Sequence, residues 1–205
     1  MTAHPLPLAV AVAGDLRWRW LAGAVQAAGS VAGGHRGSPG QPRYGWVCCS
    51  RVATRTPLPD TRSVGPAREF TLATLHRWGL PERADDVAVV LSELFTNALR
   101  HGLPPARGRR PGWPVHLGLV WSGRYVVCAV ADPGTTVPRP TEPDYFAESG
   151  RGLHVVGALS DAWGATTPTE AGKTVWALFA VGSGPPPPPP QARFSRLVSV
   201  GSPPG

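Results

Sequence analysis

Glu93, Asn97 and His101 recur at intervals of four within V-A-V-V-L-S-E-L-F-T-N-A-L-R-H-G, the stretch from Val87 to Gly102. On a helix that spacing sets them in one row, with Val87, Val90, Leu91, Leu94 and Ala98 as an apolar stripe beside it. The row then lies at the edge of the buried face. There a carboxylate can take a proton and a carboxamide can offer a hard oxygen to a cation. A solvated polar row has the same spacing, so residues further along the chain must decide between the two readings.

The elements that must hold this row are legible from punctuation and periodicity. Pro81 with Glu82, Asp85 and Asp86 suits a helix start, and Gly102 followed by Pro104 suits its stop. Before it, Tyr44 to Val52 reads as a strand. Pro66 to Trp78 reads as a helix with Phe70, Ala73, Thr74 and Trp78 on one side and Gly79 placed to end it. After it, Val115 to Trp121 and Tyr125 to Ala131 are apolar strands joined at Ser122 and Gly123, the pattern of a hairpin. Asp132-Pro133-Gly134 opens a long loop to Gly150 that carries Pro133, Pro138, Pro140 and Pro143, and loops of such length in compact domains are usually functional. Gly152 to Leu159 suits a helix, and Asp161 to Thr167 with Lys173 to Val181 suits a second hairpin around Thr169 to Gly172.

Three glycine-containing segments therefore come after the polar helix: D-P-G at Asp132, G-R-G at Gly150 and G-K-T at Gly172. They are not the common nucleotide loops. A dinucleotide fingerprint starting at Gly150 requires glycine where Val155 stands, and a P-loop ending at Lys173 requires glycine where Thr167 stands. The H-R-D and D-F-G segments of the familiar serine/threonine kinases are missing as well.

Taken in order, E-L-F-T-N-A-L-R-H-G, D-P-G after a strand, E-S-G-R-G-L and G-K-T-V-W resemble the four nucleotide-binding boxes of the GHKL, or Bergerat-fold, ATPase and kinase superfamily. Within it the chain is similar to the small ATP-binding regulators of actinobacteria that look like anti-sigma-factor serine kinases. The resemblance spans about residues 45 to 181. It implies a two-layer α/β (α+β) sandwich, a mixed and largely antiparallel sheet of about five strands covered on one face by helices, with ATP and Mg2+ between helices and lid.

Carried over residue by residue, the resemblance makes Glu93 the general base and Asn97 the magnesium ligand that also touches the phosphates. It makes Asp132 the adenine reader, with Gly134 allowing close approach of the backbone to the base. Gly150 and Gly152 become the hinge of a lid whose amides meet the phosphates, with Arg151 as an added cation. Thr174 becomes the threonine that supports the adenine contact. His101 is read as closing the helix end, and Lys173 as a charge of the hairpin turn.

Composition bounds the rest. Among 205 residues, 25 Gly and 25 Pro dilute any core, and the formal charge of +7 sits mostly in the flanks, since Tyr44 to Val181 holds 14 basic against 12 acidic residues. The expected organisation is an Ala/Gly/Pro-rich, poorly ordered extension over 1–43, in which Leu16 to Ala28 has the makings of a short helix. An ATP-binding domain over 44–182 and a proline-rich tail over 183–205 complete it. No run of Lys/Arg interleaved with aromatics marks a nucleic-acid face, despite a pI of 10.3. Cys48, Cys49 and Cys128 have no metal-site spacing and suit a reducing, cytoplasmic setting; neither a secretory signal nor a membrane span fits. The resemblance implies an ATP-dependent serine/threonine protein kinase that phosphorylates an anti-sigma antagonist and binds a sigma factor. The alternative is an ATP-binding anti-sigma or adaptor protein without turnover, and a homodimer stays open.

Overall fold

The computed structural model describes residues 19–32, 51–103, 114–138, 151–166, 169 and 172–182. In chain order these hold α1 (Arg19–Ala32), β1 (Arg51–Arg55), α2 (Val64–Trp78), α3 (Ala84–Asn97), β2 (His116–Trp121), β3 (Tyr125–Asp132), α4 (Arg151–Leu159), β4 (Ala162–Ala165) and β5 (Lys173–Ala180). The strands lie in the order β1-β2-β3-β5-β4, and all four pairings are antiparallel. The expected α/β sandwich is thus present, with parallel pairing absent among the described strands.

Strand alternation divides the sheet into two faces. Leu117 and Leu119, then Val126, Cys128 and Val130, then Val175, Ala177 and Phe179 point to one side and pack under α2, α3 and α4. The predicted stripe of α3 is there: Val87, Val90, Leu91, Leu94 and Ala98 are all buried. Helix α2 ends as its sequence requires, Gly79 taking φ 78° while its N–H and that of Leu80 satisfy the last carbonyls. Its buried face is rotated from the expected one. Ala67, Thr71, Thr74, Leu75 and Trp78 are inside, and Ala73 is exposed.

The N-terminal segment corrects a second expectation. Residues 1–18 and 33–43 lie outside the described residues, but Arg19–Ala32 is a regular helix, overlapping the short helix expected over Leu16 to Ala28 and running past it, and is not poorly ordered. It covers the opposite face of the sheet, over β3, β5 and β4, so helices lie on both faces and not on one as expected; there Leu21, Ala24, Ala27 and Ala28 are buried with Val120, Val127, Ala129, Trp176 and Leu178. The physical reason is close approach. Three of those four helix residues are alanines, and a side chain at Gly118 would collide with Trp20 at 2.7 Å and Leu21 at 2.9 Å. Residues 44–50 of the expected first strand, and the tail from 183 onward, are also outside the described residues.

The buried Cys128 thiol is pushed up to about 12 by burial, which removes it from thiolate chemistry. Among the described residues no helix is long and apolar enough to cross a membrane.

Candidate active site

On the face beneath α2, α3 and α4, a cavity of about 1010 Å³ opens between α3, α4 and the neighbouring ends of β3 and β5. Its size suits a nucleotide-class ligand. Glu93, Asn97 and His101, the polar row of the sequence, all line it. Regular α geometry ends at Asn97, and Ala98–Gly102 continues as a wider π-helical turn that leaves the exposed Arg100 and His101 at the cavity margin.

Glu93 and Asn97 meet α4 at a residue with no side chain. A Cβ on Gly152 would stand 2.7 Å from Glu93 Oε2 and 3.7 Å from Asn97 Nδ2, so glycine is what lets the two helices close over this carboxylate. Asn97 Nδ2 is buried without a hydrogen-bond partner. A buried, unpaired amide is costly, so a hydrogen bond from Nδ2 to a ligand in the cavity would offset that cost. Arg151, exposed at the start of α4, also lines the cavity. Gly150 and the rest of 139–150, the expected lid, lie outside the described residues.

Opposite α3 stands Asp132, the last residue of β3, only 3% exposed. Its Oδ1 accepts the Gly134 amide at 2.8 Å and the Lys173 ammonium at 2.7 Å. Burial pushes the Asp132 carboxyl above its ordinary value, while the Lys173 ammonium and the Gly134 amide pull it back. Three glycines make room for this cluster. A Cβ on Gly102 would overlap the Asp132 carboxyl, one on Gly134 would lie 2.8 Å from Gly102 Cα, and Gly172 takes φ +103° against the Asp132 carbonyl. In the sequence Gly102 reads as a helix stop alone. Its contact joins residues thirty apart in the chain, and no local pattern announces it.

Strand parity also reassigns the last box. Lys173 faces Asp132 across the ladder and shares the inward parity of Val175, Ala177 and Phe179. It is 6% exposed and lines the cavity, so it is not the turn charge that the sequence suggests. Thr174 pairs with Ala131, takes the opposite parity with Trp176 and Leu178, and its amide donates to Thr166 Oγ1 at 3.0 Å. The expected contact of Thr174 with a base is therefore not made from this side of the sheet. A period-two reading of β5 carries the signal for Lys173.

Adenosine phosphates fit this arrangement. One part of the cavity wall carries the buried Asp132 carboxylate and Lys173 ammonium, and another carries Asn97, Glu93 and Arg151. No group of three or more His, Cys, Asp or Glu that suits a metal occurs among the described residues. Magnesium fits all the same, because it is commonly held by one or two protein oxygens together with substrate phosphates and water.

Comparison with protein families gives a match to the histidine kinase-like ATPase domain over residues 58–179. That span contains every residue lining the cavity. No curated protein matches the chain.

Proposed function

The chain belongs to the histidine kinase-like ATPase family, and from that premise we propose that it is a cytoplasmic, ATP-binding regulator with serine/threonine protein kinase activity. The observation that carries this reading is the placement of Glu93. A binding module needs Asp132 and Asn97; it has no use for a carboxylate set beside the carboxamide on the same helix and covered by Gly152.

In this reading Asp132 takes the base and Arg151 offsets phosphate charge at the mouth of α4. Glu93 accepts the proton of an incoming serine or threonine hydroxyl as that oxygen bonds to the terminal phosphorus. The bridging oxygen leaves with ADP. Asn97 would hold magnesium through its carboxamide oxygen, the cation supplying neutralisation of phosphate charge when bound. The partners, an anti-sigma antagonist as phosphoacceptor and a sigma factor as binding target, rest on the resemblance of the boxes S-E-L-F-T-N-A-L-R-H-G and E-S-G-R-G-L to those of anti-sigma-factor serine kinases.

The test is label transfer from γ-labelled Mg-ATP to a serine- or threonine-bearing antagonist, run beside calorimetry of ATP binding. Wild type should bind ATP and transfer label. Glu93→Ala should bind comparably while transfer falls by about 10²- to 10⁴-fold. ATP binding without transfer to any antagonist would leave an adaptor without turnover, and absence of ATP binding would end the proposal.

A further inference from the structure

The Lys173–Asp132 pair lies inside the cavity, and neither the general base nor the phosphate contacts account for it. Its geometry is asymmetric. Oδ1 already accepts two strong donors, the Gly134 amide at 2.8 Å and Lys173 Nζ at 2.7 Å. An oxygen of this kind has two lone-pair directions, so Oδ2 is the oxygen left to accept from a ligand. Lys173 has three N–H donors. One goes to Oδ1, and one reaches toward the Gly134 carbonyl at a long 3.5 Å, which leaves donor capacity on a side chain that itself lines the cavity. The pair thus presents an acceptor and a donor side by side.

Resting on the reading of this cavity as an ATP site, we infer that Lys173 is a specificity-determining residue. Its ammonium donates to the adenine ring nitrogen that flanks the exocyclic amino group, while Asp132 Oδ2 accepts from that amino group. Adenine carries an acceptor nitrogen on either side of its amino group, N1 on one edge and N7 on the other. An acceptor–donor pair in the protein complements either edge. Burial gives the contact its weight, since an ammonium shielded from water loses more when its acceptor is removed than an exposed one does. A purely structural role would be complete with the contacts to Asp132 and Gly134, and would leave Lys173 indifferent to the ring atoms of the ligand.

The test uses the whole chain and compares ATP with 1-deaza-, 7-deaza- and 3-deaza-ATP by calorimetry. Wild type should lose about tenfold in affinity for either the 1-deaza or the 7-deaza analogue, which identifies the edge, and bind 3-deaza-ATP as it binds ATP. Lys173→Met should bind ATP more weakly, and its penalty for the sensitive analogue should shrink to about twofold or less. If wild type binds 1-deaza- and 7-deaza-ATP as tightly as ATP, the inference is overturned whether or not the variant folds. An analogue penalty that persists undiminished in Lys173→Met overturns it too, because a water would then be the donor. Failure of wild type to bind ATP at all overturns the ATP-site reading itself, and is distinct from both.

Discussion

Gly102 rests directly on the Asp132 carboxyl, so that the helical turn after α3 and the end of β3 are in contact where a single methyl group would force them apart. The neighbouring Gly134 adds to the same knot, its would-be Cβ lying 2.9 Å from Asp132 Oδ1. Gly102→Ala should therefore cost about 1–3 kcal/mol of stability, as overpacking of a filled interior does. It should also weaken ATP binding by turning Asp132 out of place. Chemical denaturation and calorimetry on the same variant would check both. A variant with wild-type affinity would mean that Asp132 can move without consequence for the ligand.

Gly152→Ala offers the opposite outcome from a similar change. The atom in its way is Glu93 Oε2, the free end of a flexible side chain, at 2.7 Å. The fold should tolerate it and ATP should still bind. Displacing a reacting group by about 1 Å can cost on the order of 10²-fold in rate, so transfer of the terminal phosphoryl should fall by at least tenfold. Equal transfer rates in the variant and wild type would remove Glu93 from the reaction.

ATP affinity should depend on acid through Asp132. With Oδ1 accepting from Gly134 and Lys173, Oδ2 of the ionised carboxylate accepts from the amino group; a proton on Oδ2 would set a donor against that amino group instead. Affinity is therefore full above the Asp132 pKa and lost as pH falls through it. Because burial sets that pKa above the ordinary aspartate value, the decline should begin at a less acidic pH than for an exposed aspartate. Titration of binding against pH, repeated with Asp132→Asn, would isolate the effect: the variant should bind weakly at every pH and lose the acid-dependent step.

Much of the cavity wall is written in the sequence, because α3 announces itself twice, through its apolar stripe and through Glu93 and Asn97 at one helical interval. The hairpins are equally explicit in Gly123 and Gly172, both at positive φ. Lys173 is obscured for a different reason. A charge beside a turn is usually solvated, and only the parity of Val175, Ala177 and Phe179 says that it points inward. Helix α1 is hard to read because its contact face is mostly alanine. Such residues carry little hydrophobic signal, and their value lies in how closely they let the backbone approach the sheet.

That helix supplies a prediction of its own. Leu21 is fully buried against the outer face of the sheet, so Leu21→Ala should destabilise the protein by about 2–5 kcal/mol. Removal of residues 1–32 should uncover Val120, Val127, Trp176 and Leu178 together and give a less stable, aggregation-prone domain. Denaturant midpoints for the point variant and sedimentation of the truncated chain would measure this. An unchanged midpoint for Leu21→Ala would mean that α1 contributes nothing in solution.

The ladder between β3 and β5 has eight paired positions and stops at Asp132 opposite Lys173. The pair is thus the open end of a zipper, the place where two strands separate first. A base held by both residues acts as a rivet through the two strands, not a guest on one surface. Occupancy should consequently be readable far from any phosphate. With ATP present, the amides around Ala131 and Val175 should exchange their hydrogens more slowly, and the added protection should fade along the strands toward Tyr125 and Ala180.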